Sequence, residues 1–437
     1  MLITELRRSP MAPLALVLVL VGAWQALFSA APSWLGRAQD TQIVLGTFGT
    51  LIVGPAAIPC AGWTVHRAER AGLADVVLLG GRSPVAKLGL PAVAVWCWAS
   101  LAALVTMAMG LVRTWHASGA TPNVLLLVLP VGVLALEVAY GVAVAVLLGR
   151  SLVVTIVAPL AFYAFYFVAV ADEMSRSGWR RLLPVIQESW DPLYVADTSR
   201  LLLALLFAVA AGVALMQLSA VARFRRLPRK ALEGVPLVVA LVAGLLVTVT
   251  PSAAPTSYYA QQRSGADRSV VCQARAGLRV CVWRPDAAIA PRLLGALDRA
   301  LRSHPTEGLP RTLTEEGITV GAAEGGPVGV ISPPGWGAPA TEVAEVVVAG
   351  MGAVGDPGLV CHAADRPASV AGGEPSHFYD RILSDRLGLS VPYVLDDDVV
   401  ATFEALDVPT QNAWLAAARS VLATCGSVPP LPLPAAS

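Results

Sequence analysis

The chain has 437 residues, is 56% hydrophobic and only 14% charged, and has a mean hydropathy of +0.65. That composition excludes an ordinary soluble domain and indicates a membrane protein. Its formal net charge of +1 is uneven: residues 253–437 hold 13 basic and 19 acidic side chains, a balance of −6, which leaves +7 for the first 252. The two parts therefore face different surroundings, and neither has the strongly basic character of a nucleic-acid-binding protein.

Residues 1–9 are short and carry Arg7 and Arg8; Pro10 and an apolar run over 11–31 follow. That run is nearer to the ~20 residues needed to cross a bilayer than to the core of a signal peptide, so it reads as span 1. Spans 2 to 4 follow at 41–65, 88–112 and 124–148, and span 5 at 151–170 after the tight turn Gly149-Arg150. Residues 171–200 interrupt the pattern with a polar segment whose Trp179, Trp190 and Tyr194 suit a membrane interface. Span 6 is expected at 201–222, the basic run RFRRLPRK comes next, and span 7 at 235–249.

Arg and Lys next to spans favour the cytoplasmic side. With the N-terminus inside, the inner loops hold Arg7, Arg8, Arg67, Arg70, Arg82, Lys87, Arg150, Arg223, Arg225, Arg226, Arg229 and Lys230. The outer loops hold only Arg37, Arg113, Arg176, Arg180, Arg181 and Arg200. Seven spans then put the C-terminus outside. Four cysteines, Cys272, Cys281, Cys361 and Cys425, fall there with no zinc-type spacing, which points to two disulfides in an oxidising compartment. Three connectivities are open, and Cys272 with Cys281 across a short hairpin, leaving Cys361 with Cys425, is the favoured one.

The loop between spans 2 and 3, HRAERAGLADVVLLGGRSPVAK, is longer than a connection requires. Arg67, Glu69 and Arg70 open it, Leu73, Val76, Val77, Leu78 and Leu79 form an apolar stripe, and Gly80-Gly81 with Ser83-Pro84 stop it. The spacing predicts a short amphipathic helix. Taken alone, such a helix could simply lie in the lipid interface. The order Glu69-Arg70, Gly72, Leu73, Leu78-Leu79, the small-residue break and Lys87-Leu88 resembles the coupling helix of type-2 ABC exporter permeases, with Leu73 where a Thr is common. The resemblance covers about the first half of the chain. It implies a six-span permease domain over 1–231, in which Glu69, Arg70, Gly72, Leu73, Val76 and Leu79 contact a separate ABC ATPase subunit. It also implies a homodimer or heterodimer of permeases and, on residues 171–200, short helices at the outer face. Span 7, at 232–252, and the domain that follows depart from that family pattern.

After the linker PSAAPTS, residues 253–428 read as an extracellular, disulfide-containing α+β domain, ending in a disordered proline-rich tail at 429–437. Residues 269–283 predict a hairpin about Gly277, and helical spacing recurs over 287–303, 340–351, 378–387 and 400–424. The expected fold is therefore a polytopic helical membrane protein with this outer domain, located in a bacterial plasma membrane with its N-terminus cytoplasmic.

No GxxxxGK[ST], HExxH or GxSxG occurs, so no cofactor, metal or catalytic residue is expected on this chain; ATP and Mg would belong to the partner subunit. Glu374, His377 and Asp380 could meet in space but fit a capped surface loop equally well. Glu137 is the pointed residue, mid-span in VGVLALEVAYGVA with no other charge within ten residues. A carboxylate there costs roughly 2.5–3.5 kcal/mol on insertion scales, so it should meet a partner or a wet cavity. The readings are a substrate-path or proton-linked residue, or a hydrogen bond to a neighbouring helix. Gln25 is a weaker case, and Tyr163, Phe165, Tyr166 and Phe167 could line a lipid-like path or simply pack. Two functions from different classes remain: a transport subunit without enzymatic activity of its own, or a membrane anchor or sensor that displays the outer domain.

Overall fold

In the computed structural model, proline, glycine and polar breaks divide the apolar half of the chain into rods. The structure describes residues 2–28, 38–67, 84–114, 122–148, 157–165, 194–224, 235–249, 260–262, 269–303, 310–315, 318, 328–331, 333, 340–352 and 397–422. A short helix α1 (Leu2–Arg8) meets α2 (Met11–Phe28) at a bend of 65°, with Ser9 Oγ accepting from the Met11 N–H at the joint. The second span is compound: α3 (Ala38–Phe48), a π-helical turn (Gly49–Val53) and α4 (Gly54–Val65). The Gly54 N–H reaches back to the Gly49 carbonyl, and Pro55, one residue on, brings no N–H at all, so the α ladder is broken there. Next come α5 (Pro84–Thr114), α6 (Val124–Leu148), a described stretch of helix α7 (157–165), α8 (Thr198–Phe224) and α9 (Val235–Val249).

Close contacts give the directions. On α4 and α6, Gly54 faces Glu137, Gly141 faces the Ile58 backbone, and Gly62 faces Ala145, so residue numbers rise together and the helices run parallel. The absence of a side chain at Gly141 lets the two backbones approach, as is usual where helices associate without a hydrophobic driving force between them, and at Gly54 it makes room for the Glu137 carboxylate. α3 runs against α5, with Thr41 Oγ1 3.0 Å from Thr114 Oγ1 and Gly49 on Ala103. α6 and α8 are parallel, since Gly132 meets Leu205 and Gly212 meets the Leu136 backbone. The start of α8 therefore lies at the opposite end of the bundle from the end of α6, and α7 falls between the two in the chain.

Four helical segments, 38–65, 87–114, 124–148 and 198–223, are long and apolar enough to cross a membrane, and a fifth is added if the bent α1–α2 pair is one span. Large side chains such as Leu16, Leu20, Trp24, Leu241 and Leu245 are exposed on the outside, while the interior is rich in alanine, including Ala57, Ala61, Ala99, Ala102 and Ala103. The protein is thus a multi-pass helical membrane protein. Six spans were expected before span 7; the described part of span 5 is only 157–165, and α9 has 15 residues, short of the ~20 that cross a bilayer upright.

A small ribbon ties the chain before α8 to the chain after α9. Strand β1 (Tyr194–Ala196) pairs antiparallel with β2 (Ala260–Gln262), with Val195 opposite Gln261. The expected hairpin follows as β3 (Val270–Arg275) and β4 (Leu278–Trp283), turning through Ala276 (φ 51°) and Gly277 (φ 79°). Two successive positive φ values make the turn type whose twist matches the strands. The hairpin begins a four-stranded sheet in the order β3-β4-β5-β6, where β5 (Thr312–Glu315) and β6 (Val328–Ile331) add in parallel. Helix α10 (Ala290–Ser303) links β4 to β5 and covers Leu278, Val280 and Val282 with Leu293 and Leu297; α11 (Ala340–Gly352) adds Val343, Val347 and Met351 to the same core.

The single helix expected over 400–424 is two, α12 (Asp397–Glu404) and α13 (Val408–Leu422). Asp407 stops the first and caps the second: its Oδ1 accepts from the Thr410 N–H at 2.7 Å. Hydrogen bonds from the Thr410 side chain and backbone hold the Asp407 carboxyl below its ordinary range. Gln411 Nε2 spans the break to the carbonyls of Phe403 (3.0 Å) and Leu406 (2.8 Å), and Phe403 meets Trp414 edge-on at 5.7 Å. The helix expected over 378–387 and the proline-rich tail lie outside the described residues.

Candidate functional site

The parallel seam between α4 and α6 carries the most unusual chemistry in the bundle. Glu137 stands near the middle of α6 and is 1% exposed. Neither carboxylate oxygen has a hydrogen-bond partner among the described residues. A Cβ on Gly54 would collide with both oxygens, so the carboxylate lies directly against the backbone of the second span where its helix changes from π to α. Around it Val53, Ala57, Leu134 and Val138 belong to one apolar cluster.

The donors nearby are committed elsewhere. The Tyr163 hydroxyl, within electrostatic reach of Glu137, donates to the Leu51 carbonyl. In a regular α-helix that carbonyl would accept from residue 55, which is a proline. Trp96 Nε1 donates to the Val131 carbonyl at 2.9 Å, across α5 and α6. The hydrogen bond to a neighbouring helix, one of the readings open for Glu137, is therefore not formed among the described residues.

The other expected site residues are placed as follows. Gln25 is half-buried on α2, which packs chiefly on α5, so it lies on a different seam from Glu137. Phe165 is exposed, whereas Tyr163 is half-buried; Tyr166 and Phe167 lie outside the described residues. Cys272 and Cys281 are directly opposite in register and bonded. Cys361, Cys425, Glu374, His377 and Asp380 lie outside the described residues, as do Glu69, Arg70, Gly72, Leu73, Val76 and Leu79. No group of three His, Cys, Asp or Glu that could hold a metal occurs among the described residues.

What precedes and follows the 68–83 loop is described, and it is anchored. His66 Nε2 is 3.0 Å from the Ala145 carbonyl, one step further along the seam that begins at Gly54 and Glu137. Arg67 forms an ion pair with Glu5 of α1 at 2.6 Å. The Leu6 carbonyl of α1 in turn accepts from Trp98 Nε1 of α5 at 2.9 Å. Sequence reasoning missed these contacts and the role of Gly54. The Gly-Pro pair inside an apolar span was the available sign of a break; nothing in the sequence marked Glu5 as the partner of Arg67.

No protein-family model, no curated protein and no solved structure matches the chain.

Proposed function

We propose that the chain is the membrane subunit of an ATP-driven ABC exporter. A separate ATPase subunit, carrying ATP and Mg, would dock beneath the 68–83 loop, and two permease chains would form the transport unit. The observation that carries this reading is the anchoring beside that loop: Arg67 to Glu5 and His66 to the Ala145 carbonyl before it, and α5 starting at Pro84 directly after it. A displacement of the loop would pass into rigid helices at both sides, in particular into the α4–α6 seam. A loop that only filled space between spans would have no need of this connection.

Positive charge supports the orientation. The end of the bundle at α1, His66 and the start of α5 carries Arg7, Arg8, Arg67 and Lys87, and faces the cytoplasm on this reading. At the other end Arg200 is paired with Asp197 at 3.2 Å, and the outer domain leaves the membrane there. The protein would then be a bacterial plasma-membrane subunit with residues 253–437 outside.

The decisive experiment reverses the pair at the start of the predicted coupling helix, Glu69→Arg with Arg70→Glu, which preserves net charge. The protein should insert normally while ATPase association, or stimulation of ATP hydrolysis, falls by about tenfold or more, the equivalent of ~1.4 kcal/mol at an interface. Undiminished association with normal insertion would overturn the reading in favour of a membrane anchor or sensor for the outer domain.

A further inference from the structure

We propose that Glu137 is the binding point for a small monovalent cation, a proton or an alkali ion, inside the helical bundle. The chemistry begins with what is missing around it: two buried carboxylate oxygens, neither accepting a hydrogen bond from any described residue. A carboxylate in hydrocarbon surroundings requires a compensating positive charge or donor. The described residues supply neither. On the helices that pack against α6, the charged residues are Asp40, Lys87, Arg113, Arg200 and Arg223, all within a turn or so of a helix end. His66 follows α4 and is engaged two turns along α6, at the Ala145 carbonyl. The remaining titratable groups are Cys60 on α4, Cys97 on α5, Tyr140 on α6 itself and Tyr163 on α7, whose hydroxyl is given to Leu51.

The size of the ligand follows from the enclosure. Glycine at position 54 makes the room the carboxylate occupies, because a methyl group there would collide with it, and at 1% exposure Glu137 is closed off from the surface. Aliphatic side chains close the surroundings. A bulky organic cation does not fit this arrangement; a proton does so without any movement, and a bare alkali ion with a small one. The π-helical turn at 49–53 supplies the place for such a movement, since the backbone there already departs from the regular ladder, and isolated π turns recur at functional sites. This proposal goes beyond ATP-driven export and stands whether or not an ATPase docks on the loop.

Dicyclohexylcarbodiimide tests it, being apolar enough to enter the bundle and selective for protonated carboxyl groups. The carboxyl proton passes to a carbodiimide nitrogen and the carboxylate oxygen adds to the central carbon, so the side chain gains the whole reagent and nothing leaves. Purified full-length protein, without any ATPase, would be treated from about pH 5 to about pH 9 in choline, sodium or potassium chloride, with adducts located by peptide mass spectrometry. Modification of Glu137 is expected, absent in a folded Glu137→Gln variant. A fall of about tenfold with rising pH in all three salts identifies the proton, and a similar fall on adding one alkali ion identifies that ion. No modification at any pH, or modification insensitive to both pH and salt, would overturn the proposal.

Discussion

The hydroxyl of Tyr163 occupies the Leu51 carbonyl, the acceptor that Pro55 leaves without its usual helical donor. A side chain from the fifth apolar segment thus completes the backbone of the second. Tyr163→Phe keeps the ring and removes only this bond. Such bonds in membrane proteins average about 0.6 kcal/mol and reach about 1.7, so a modest fall in thermal midpoint in detergent is expected. An unchanged midpoint would show that the carbonyl finds another donor at no cost.

Gly54→Ala should be more damaging, because the new methyl group meets the Glu137 carboxylate. Overpacking of this kind costs about 1–3 kcal/mol. Glu137→Ala should relieve it, so the double variant should be more stable than the two single effects predict when added. Gly141→Ala, which presses on the Ile58 backbone instead, should not be relieved by the same change. Denaturation of the three single and two double variants side by side checks the contact.

The β3–β4 hairpin offers a separate measurement. Cys272 and Cys281 close a loop with a sequence separation of nine, for which chain entropy gives about 2–3 kcal/mol. Replacing both by serine should lower the stability of the four-stranded domain by that order and leave the helical bundle inserted. Protease resistance of the two parts, followed independently, would reveal any wider effect.

Orientation can be read by labelling. A cysteine at Ser269, just before β3, should react with an impermeant thiol reagent added to intact cells, and a cysteine at Ala71 should react only after the membrane is opened. Labelling at position 71 from outside would reverse the orientation and remove the cytoplasmic docking site with it.

Much of this architecture was legible because each signal was local. The limits of α6 and α9 follow from apolar runs ended by polar or glycine breaks, and the β3–β4 turn follows from Gly277 between two alternating segments. Glu137 stood out because one charge in a long apolar run has few explanations. Its environment did not, since Gly54 and Tyr163 reach it only through the packing of separate helices. Strands β5 and β6 were missed for a related reason: each has four residues, and their parallel pairing carries no hairpin turn signal, the crossover to β5 being made by the helix α10. The break at Asp407 was readable in principle, as an Asp two residues before Pro409 is a helix start; the apolar spacing on either side concealed it.

The β1–β2 ribbon moves the edge of the membrane unit. By hydropathy that unit stops at Val249, yet Ala260, Gln261 and Gln262 are strand partners of the residues leading into α8. The α8–α9 pair is consequently clasped at its open end, like the two arms of a buckle. A truncation meant to isolate the membrane part would leave β1 with an unpaired edge if cut at 250, and should retain the chain through Gln262. The four-stranded domain, for its part, follows the ribbon in the chain and not the last turn of α9, so the segment that joins it to the membrane unit is counted from Gln262 and not from Val249.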